Sequence, residues 1–464
     1  MKTRFCPSPT GLLHLGNLRT ALFNALWAKG QQGTFLLRIE DTDKARSDEK
    51  YTTALEQDLV WLGLQWNEGP GCEADNGPYL QSQRQTIYDQ YYHQLEAKGL
   101  VYPCFCSEEQ LALARKLQRS AGKPPRYPGT CRHLTADEIA QKLAEGIKPV
   151  LRFRVPLEEQ TTFDDVVRGP QTFNNNDIGD FIVRRGDGTP PFMYCNAIDD
   201  ALMGVTYALR GEDHLTNTPR QIMILKALNL PAPQYGHIAL IVGADGSPLS
   251  KRHGSRSLQA LREEGYLPLA INNYLARLGH YYTQEHFMSL AELAQHFSIE
   301  RLGKAPARFD AAQLLYWQRM AVSQLTETEV WQWLENVHAL VPGELKSLFI
   351  QAVQPNIIFP AEALKWANIL FTDEWMTQPL AIDTPPDFFA VAIKTVQEKG
   401  ADYPAVTAAL KSELNLSGKA LFQPLRLALT GELHGPELAA IFALLKEEGL
   451  VRRFEKAQMG KAAG

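Results

Sequence analysis

His14, Gly16 and Asn17 stand where a short apolar segment, broken by Pro7, Pro9 and Gly11, gives way to Leu18, Leu22, Ala25 and Leu26 at helical spacing. A helix entered through such a turn presents unpaired backbone N–H groups and the positive end of its dipole, and phosphate is the usual guest. An imidazole and a carboxamide at that entrance add donors for the same anion. Far downstream, Gly246-Ser247-Pro248-Leu249-Ser250-Lys251-Arg252-His253-Gly254 is a basic loop bounded by glycines, which taken alone is an ordinary exposed turn. Arg38-Ile39-Glu40-Asp41-Thr42-Asp43 puts carboxylates after the apolar run from Thr34, where open α/β sheets bind ligands. Taken alone it too is a solvated acidic loop. Cys104, Cys106, Cys131 and His133 place two soft or borderline ligands at each end of a 24-residue gap, which suits tetrahedral zinc.

Elements must position these residues. Arg4 to Lys29 reads as strand, turn and helix, ended by Gly30, and Thr34 to Ile39 as a second strand. Helical periodicity returns at Glu49 to Leu62 and at Leu80 to Lys98. Residues 91–191 read as an insertion between two halves of a nucleotide-binding sheet. It carries a basic helix with Arg115, Lys116 and Arg119, then two short strands, Leu151 to Val155 and Phe181 to Arg185, flanking Thr162 to Phe173. The sheet is expected to resume near Phe192 and to run on through Met203 to Leu209 into Arg210-Gly211-Glu212-Asp213-His214. From about Ala307 strand alternation fades into amphipathic helices, interrupted at Pro424 to Gly431. The expected division is 1–90, 91–191, 192–245, 246–306 and 307–464.

With 464 residues, 45% of them hydrophobic, the chain can bury several cores. Six cysteines are too few for a disulfide scaffold in so long a chain. A formal charge of -5 argues against a uniformly basic nucleic-acid coat while leaving room for a local basic groove. Met1-Lys2-Thr3-Arg4 leads straight into the first strand with no apolar signal region, which fits a cytoplasmic enzyme.

Pro7-Ser8-Pro9-Thr10-Gly11 followed by His14-Leu15-Gly16-Asn17 resembles the HIGH signature of class I aminoacyl-tRNA synthetases, in the spelling of the glutamyl branch. The acidic run from Arg38 to Asp43 matches that branch, and Leu249 to Gly254 is similar to its KMSKS loop. The resemblance covers essentially the whole chain. It implies an α/β Rossmann-type nucleotide-binding catalytic domain with an inserted acceptor-end domain, followed by an all-α anticodon-binding half. The implied activity attaches glutamate to tRNA-Glu through glutamyl-adenylate, using ATP with Mg2+, in a chain expected to be a monomer. No Gly-x-Gly-x-x-Gly is present, so ATP is expected rather than NAD. By the same resemblance His14 and Lys251 are catalytic, and Pro7, Ser8, Thr10, Gly11, Gly16, Asn17, Leu249, Ser250 and Arg252 join them on ATP. Arg4, Cys6, Ser8, Glu40, Phe192, Asn196 and Arg210 meet the amino acid. Glu40 holds its α-amino group and Arg4 its side-chain carboxylate, with arginine forks suited to a dicarboxylate. Zinc at Cys104, Cys106, Cys131 and His133 is expected to be a closed structural site that stiffens a module touching the tRNA acceptor end.

The pattern departs at Cys6, where alanine is common, at Phe192, where tyrosine is usual, and at Pro248, the place of the loop's first lysine. Activity is expected to survive with weaker ATP binding, and the hydroxyl missing at Phe192 to cost about 1 kcal/mol. Members restricted to tRNA-Glu tend to carry an arginine that reads the third anticodon base, and Phe349 to Phe371 has none. An enzyme that also charges tRNA-Gln with glutamate is therefore an alternative. The rivals are a short paralogue that modifies a tRNA base, a glutaminyl enzyme with a β-barrel anticodon half, and a catalytically dead RNA-binding paralogue.

Overall fold

The apolar start of the chain, Lys2–Phe5 (β1), pairs in parallel with Thr34–Leu37 (β2), and the helix Leu15–Gly30 (α1) connects them. This is the strand, turn and helix that the sequence predicts. The computed structural model describes residues 1–72, 74–250, 253–254, 256–373 and 382–462. Helix α1 buries Leu15, Leu18, Leu22 and Leu26, one row of a 3.6-residue period, against the sheet. Gly30, its last residue, leaves room for a close contact, since a Cβ there would stand 2.4 Å from the carbonyl oxygen of Ala294 in the short helix Leu290–Gln295.

The chain forms two units: Met1–Leu261 with Ile271–Gln313, and Arg262–Ala270 with Leu314–Gly464. In the first unit the helices Glu49–Trp61 (α2) and Gln85–Ala97 (α3) follow β2. The insertion then contributes Val101–Cys104 (β3), Glu108–Ser120 (α4), Ala136–Ala144 (α5), Val150–Phe153 (β4), Gln160–Asp165 (β5), Gly169–Asn174 (β6), Asn175–Ile178 (α6) and Ile182–Arg184 (β7). Strands β3, β4 and β7 make an antiparallel three-stranded sheet, and β5 and β6 a hairpin. Both α4 and α5 start with capping boxes, at Ser107 with Gln110 and at Thr135 with Glu138.

Phe192 does not resume the sheet. Phe192–Leu202 is a helix (α7), buried on every side. A helix enclosed all round shows no polar face, so its period is invisible in the sequence. The parallel strands return with Tyr207–Gly211 (β8) and Gln234–Ile238 (β9), joined by Thr218–Ala227 (α8). The N–H of Thr206 donates to the carbonyl of Lys2 at 3.0 Å, which sets β8 beside β1.

The second unit is helical, with no strand among the described residues. Its core gathers Phe349, Phe388, Phe389, Phe442 and Phe454. The stretch read as an interruption is instead a helix, Lys419–Thr430, with Pro424 inside it. Burial of Leu421, Leu425, Ala428 and Leu429 at helical spacing offsets a proline penalty of about 3 kcal/mol. Arg453 is buried and donates to the carbonyl of Leu429 at 2.6 Å and of Ile369 at 2.6 Å, so one guanidinium closes the C-terminal ends of two helices. No helix is long and apolar enough to cross a membrane among the described residues.

Candidate active site

The chain leaves β1 through Pro7 and Pro9, and Thr10 N–H closes the turn on the carbonyl of Ser8 at 2.9 Å. His14 then caps α1 with extended backbone angles of φ -104 and ψ 165, and its side chain makes no cap hydrogen bond. The imidazole and the first N–H groups of the helix are left for another acceptor. They open on a cavity of about 590 Å³, which Pro7, Ser8, Thr10, Gly11, His14, Gly16 and Asn17 line on one side. A Cβ added at Gly11 or Gly16 would meet nothing within 4 Å, so this wall is open to a ligand.

Arg4, Cys6, Glu40, Phe192, Asn196 and Arg210 line the rest of the same cavity. Thirteen positions expected on ATP or on the amino acid, from Arg4 to Arg210, thus share one space. Its floor is a buried ionic cluster. Asp200 accepts from Arg4 Nε at 3.1 Å and Nη2 at 3.0 Å, and from Arg38 Nη2 at 2.9 Å. Burial pulls the Asp200 carboxyl up, but Arg4 and Arg38 outweigh it and hold the group below the ordinary carboxylate range. Glu40 Oε1 accepts from Asn196 Nδ2 at 2.7 Å and Arg38 Nη2 at 3.2 Å, and burial raises its pKa against the pull of Arg38. Burial also pushes the Cys6 thiol up to about 12 despite the nearby Arg38 and Arg4, so it is no nucleophile at neutral pH.

Arg210 differs from its neighbours. It is buried, and its bonds go to neutral acceptors: Thr218 Oγ1 at 2.8 Å, Gln221 Oε1 at 2.7 Å, His237 Nε2 at 3.2 Å and Asn196 Oδ1 at 3.5 Å. Among the described residues no carboxylate forms a salt bridge with it. Burial, with Arg4 close by, lowers its pKa to about 10. Phe192 packs on His214 with ring centroids 4.9 Å apart, and burial with Arg210 lowers the His214 pKa to about 4.

Leu249 and Ser250 are not brought to this cavity. Ser250 Oγ lies 3.1 Å from His253 Nδ1, and His253 Nε2 lies 3.0 Å from Asp245 Oδ1. Lys251 and Arg252 lie outside the described residues.

The cysteine cluster holds Cys104, Cys106 and Cys131, whose sulfurs lie within 4.8 Å of one another, without His133. A turn explains the difference: Arg132 N–H donates to Gly129, which points the buried Cys131 inward and leaves His133 exposed. The Tyr127 hydroxyl lies beside the cluster, 3.3 Å from Cys104 Sγ and 3.5 Å from Cys106 Sγ, and offers a fourth donor. Tetrahedral zinc with bonds of about 2.3 Å to sulfur and about 2.0 Å to oxygen separates two sulfurs by about 3.8 Å and a sulfur from an oxygen by about 3.5 Å. Cys106 and Cys131 sulfurs stand 3.7 Å apart, so the donor set fits.

Asp200, Thr218, Gln221 and His237, which hold the arginines of the cavity, carry no motif in the sequence. Asp199 and Asp200 were findable, because carboxylates inside an otherwise apolar run must be paired. A second cavity, of about 610 Å³, opens in the helical unit. There Tyr403 and Phe422 stand with Lys419, Arg426 and His434. Aromatic rings and cations together suit stacked bases and backbone phosphate.

Residues 1–316 match the family model described as tRNA synthetases class I (E and Q), catalytic domain, and residues 388–458 the anticodon binding domain. A protein of Coxiella burnetii named glutamate–tRNA ligase 2 is 57% identical over 462 residues, 98% of this chain and 99% of that one. Its namesake in Nitrosococcus oceani is 55% identical over 450 residues, 96% and 95% of the two chains. The crystal structure of a glutamate tRNA ligase from Elizabethkingia meningosepticum in complex with its amino acid superposes with a TM-score of 0.89 at 27% identity, covering 99% of each chain.

Proposed function

The chain belongs to the class I tRNA synthetases for glutamate and glutamine, in their glutamate–tRNA ligase branch, and from that premise we propose which of its groups carry the reaction. It is an enzyme that attaches glutamate to tRNA. The glutamate α-carboxylate attacks the α-phosphorus of ATP in line and pyrophosphate leaves; the terminal ribose hydroxyl of tRNA then attacks the glutamyl carbonyl of the adenylate, forming the ester as AMP leaves. Such chemistry rests on positioning and charge stabilisation, with Mg2+ neutralising the phosphates.

The phosphates lie over the entrance of α1, where the first-turn N–H groups, His14 and Asn17 converge. Lys251, by its place in the KMSKS-like loop, stabilises charge on the leaving pyrophosphate. Glutamate takes the opposite end. Glu40 Oε1 is occupied by Asn196 and Arg38, so Oε2 receives the substrate ammonium. The side-chain carboxylate goes to Arg210, joined by Nη1 of Arg4, whose other nitrogens are committed to Asp200. Glutamine is refused because its amide turns donors toward donors and forfeits the charge-assisted pair.

One observation carries this reading: a buried guanidinium with neutral partners alone, on a cavity shared with a helix entrance. Such a cation calls for an anion delivered from outside. Arg210→Met should lower kcat/KM for glutamate by about 3 kcal/mol, about 150-fold, in pyrophosphate exchange with tRNA present, with the KM for ATP unchanged. A change under about threefold would remove Arg210 from the glutamate site.

Cys104, Cys106, Cys131 and Tyr127 would hold a structural zinc in the insertion, where it would stiffen the module facing the acceptor end and take no part in catalysis. The relatives carry the glutamate name over nearly their full lengths, and the second unit is helical, so the short paralogue and the β-barrel glutaminyl type lose their support.

A further inference from the structure

Arg210 has no carboxylate to fix its plane among the described residues, so neutral neighbours must aim it. Thr218 and Gln221 both take Nη2. The third partner, His237, comes from β9 and is fully buried. It does not line the cavity. Its Nε2 lies 3.2 Å from Arg210 Nε and 3.0 Å from Thr218 Oγ1, while Nδ1 lies 2.5 Å from Asp165 Oδ2. Arg210 Nε always carries its hydrogen, so His237 Nε2 must be the bare nitrogen and Nδ1 the protonated one. The carboxylate of Asp165 fixes that tautomer.

Asp165 is itself held. Its Oδ1 accepts from the N–H groups of Val167 at 2.9 Å and Arg168 at 2.8 Å. It is the last residue of β5, within the insertion, and the next N–H, of Val166, donates to the carbonyl of Tyr235 on β9 at 2.9 Å. A continuous hydrogen-bonded path therefore runs from the insertion's hairpin through one imidazole to the guanidinium in the cavity.

We propose that His237, locked by Asp165, is a positioning residue for glutamate capture: it holds the Arg210 fork in the plane that meets the substrate carboxylate, and makes that aim depend on the seating of the insertion's hairpin. The inference rests on the reading of Arg210 as the glutamate anchor. A histidine that only fills space in the core would, once replaced, disturb every kinetic constant together. A positioning histidine acts on glutamate alone.

Pyrophosphate exchange with tRNA present, on the full chain, separates the two. His237→Leu should raise the KM for glutamate about 20-fold while kcat and the KM for ATP stay within about threefold. His237→Gln, whose amide oxygen can take the place of Nε2, should recover most of that loss. Where His237→Leu does not fold, His237→Gln against His237→Asn carries the same test, since the shorter amide reaches only the Nδ1 position. An unchanged glutamate KM in His237→Leu, a parallel shift of all three constants, or a Gln variant no better than Leu or Asn overturns the proposal. Arg210→Met run alongside distinguishes the failures. If it raises the glutamate KM and the His237 variants do not, only the role of His237 falls. If it leaves that KM unchanged, the anchor reading itself falls.

Discussion

Tyr127→Phe should strip the insertion of zinc, whereas His133→Ala should not. The hydroxyl lies 3.3 Å and 3.5 Å from two cysteine sulfurs, close to the separation expected of two ligands on one tetrahedral ion. Phenylalanine preserves the ring against which Arg152 stacks at 3.7 Å, so the substitution removes one donor atom and little packing. It also leaves the Cys131 N–H, now bonded to that hydroxyl at 2.9 Å, without its acceptor, at about 1 kcal/mol. Loss of one of four ligands should weaken zinc by at least about 100-fold, about 2.7 kcal/mol. Competition with a chromogenic chelator measures this, and ultraviolet difference spectra give an independent sign, because metal loading of wild type should produce a tyrosinate band. Zinc lost from His133→Ala and retained by Tyr127→Phe, with no tyrosinate band, would refute the assignment.

His14→Ala should lower ATP-dependent activation by about 3 kcal/mol, the scale of one preorganised donor, and a near-normal exchange rate would misplace the phosphate site. Asp200→Asn removes the carboxylate shared by Arg4 and Arg38 and should lower the stability of the unit containing it by about 3 kcal/mol at neutral pH, read from urea unfolding. Because the folded pKa of Asp200 is depressed, its contribution is complete above the ordinary value of about 3.9 and is lost as the pH falls through the folded value. Wild-type and variant curves should therefore converge in acid, and a constant gap down to about pH 2 would contradict the sign. Arg453→Met should cost the helical unit about 3 kcal/mol by thermal unfolding, as buried carbonyls of two helices lose their donor.

The amino-terminal half of the site was legible because its signals are local. Turn residues, a helix entrance and a carboxylate run after an apolar strand each announce themselves within a few positions. Long-range partners do not. Asp200 reaches Arg4 from a helix 196 positions along the chain, and Asp165 reaches His237 from another module, so neither leaves a spacing to read. His133 stands apart from the three cysteines for a related reason. Alternate residues share a side only in an extended strand, and this segment is a turn. Helix α7 and the helix holding Pro424 were misread because burial decided their form, all round in the first and over a breaker residue in the second.

The guanidinium that fastens two helix ends belongs to residue 453, whereas the helices it fastens end at Phe371 and Thr430. During translation, then, the synthetic half can settle while the ribosome is still elongating, but the anticodon half must wait. Until Arg453 emerges from the exit tunnel, two helix termini hold out carbonyls that only water can satisfy. A stall shortly before that codon should yield a nascent chain whose first half resists protease and whose second is cut.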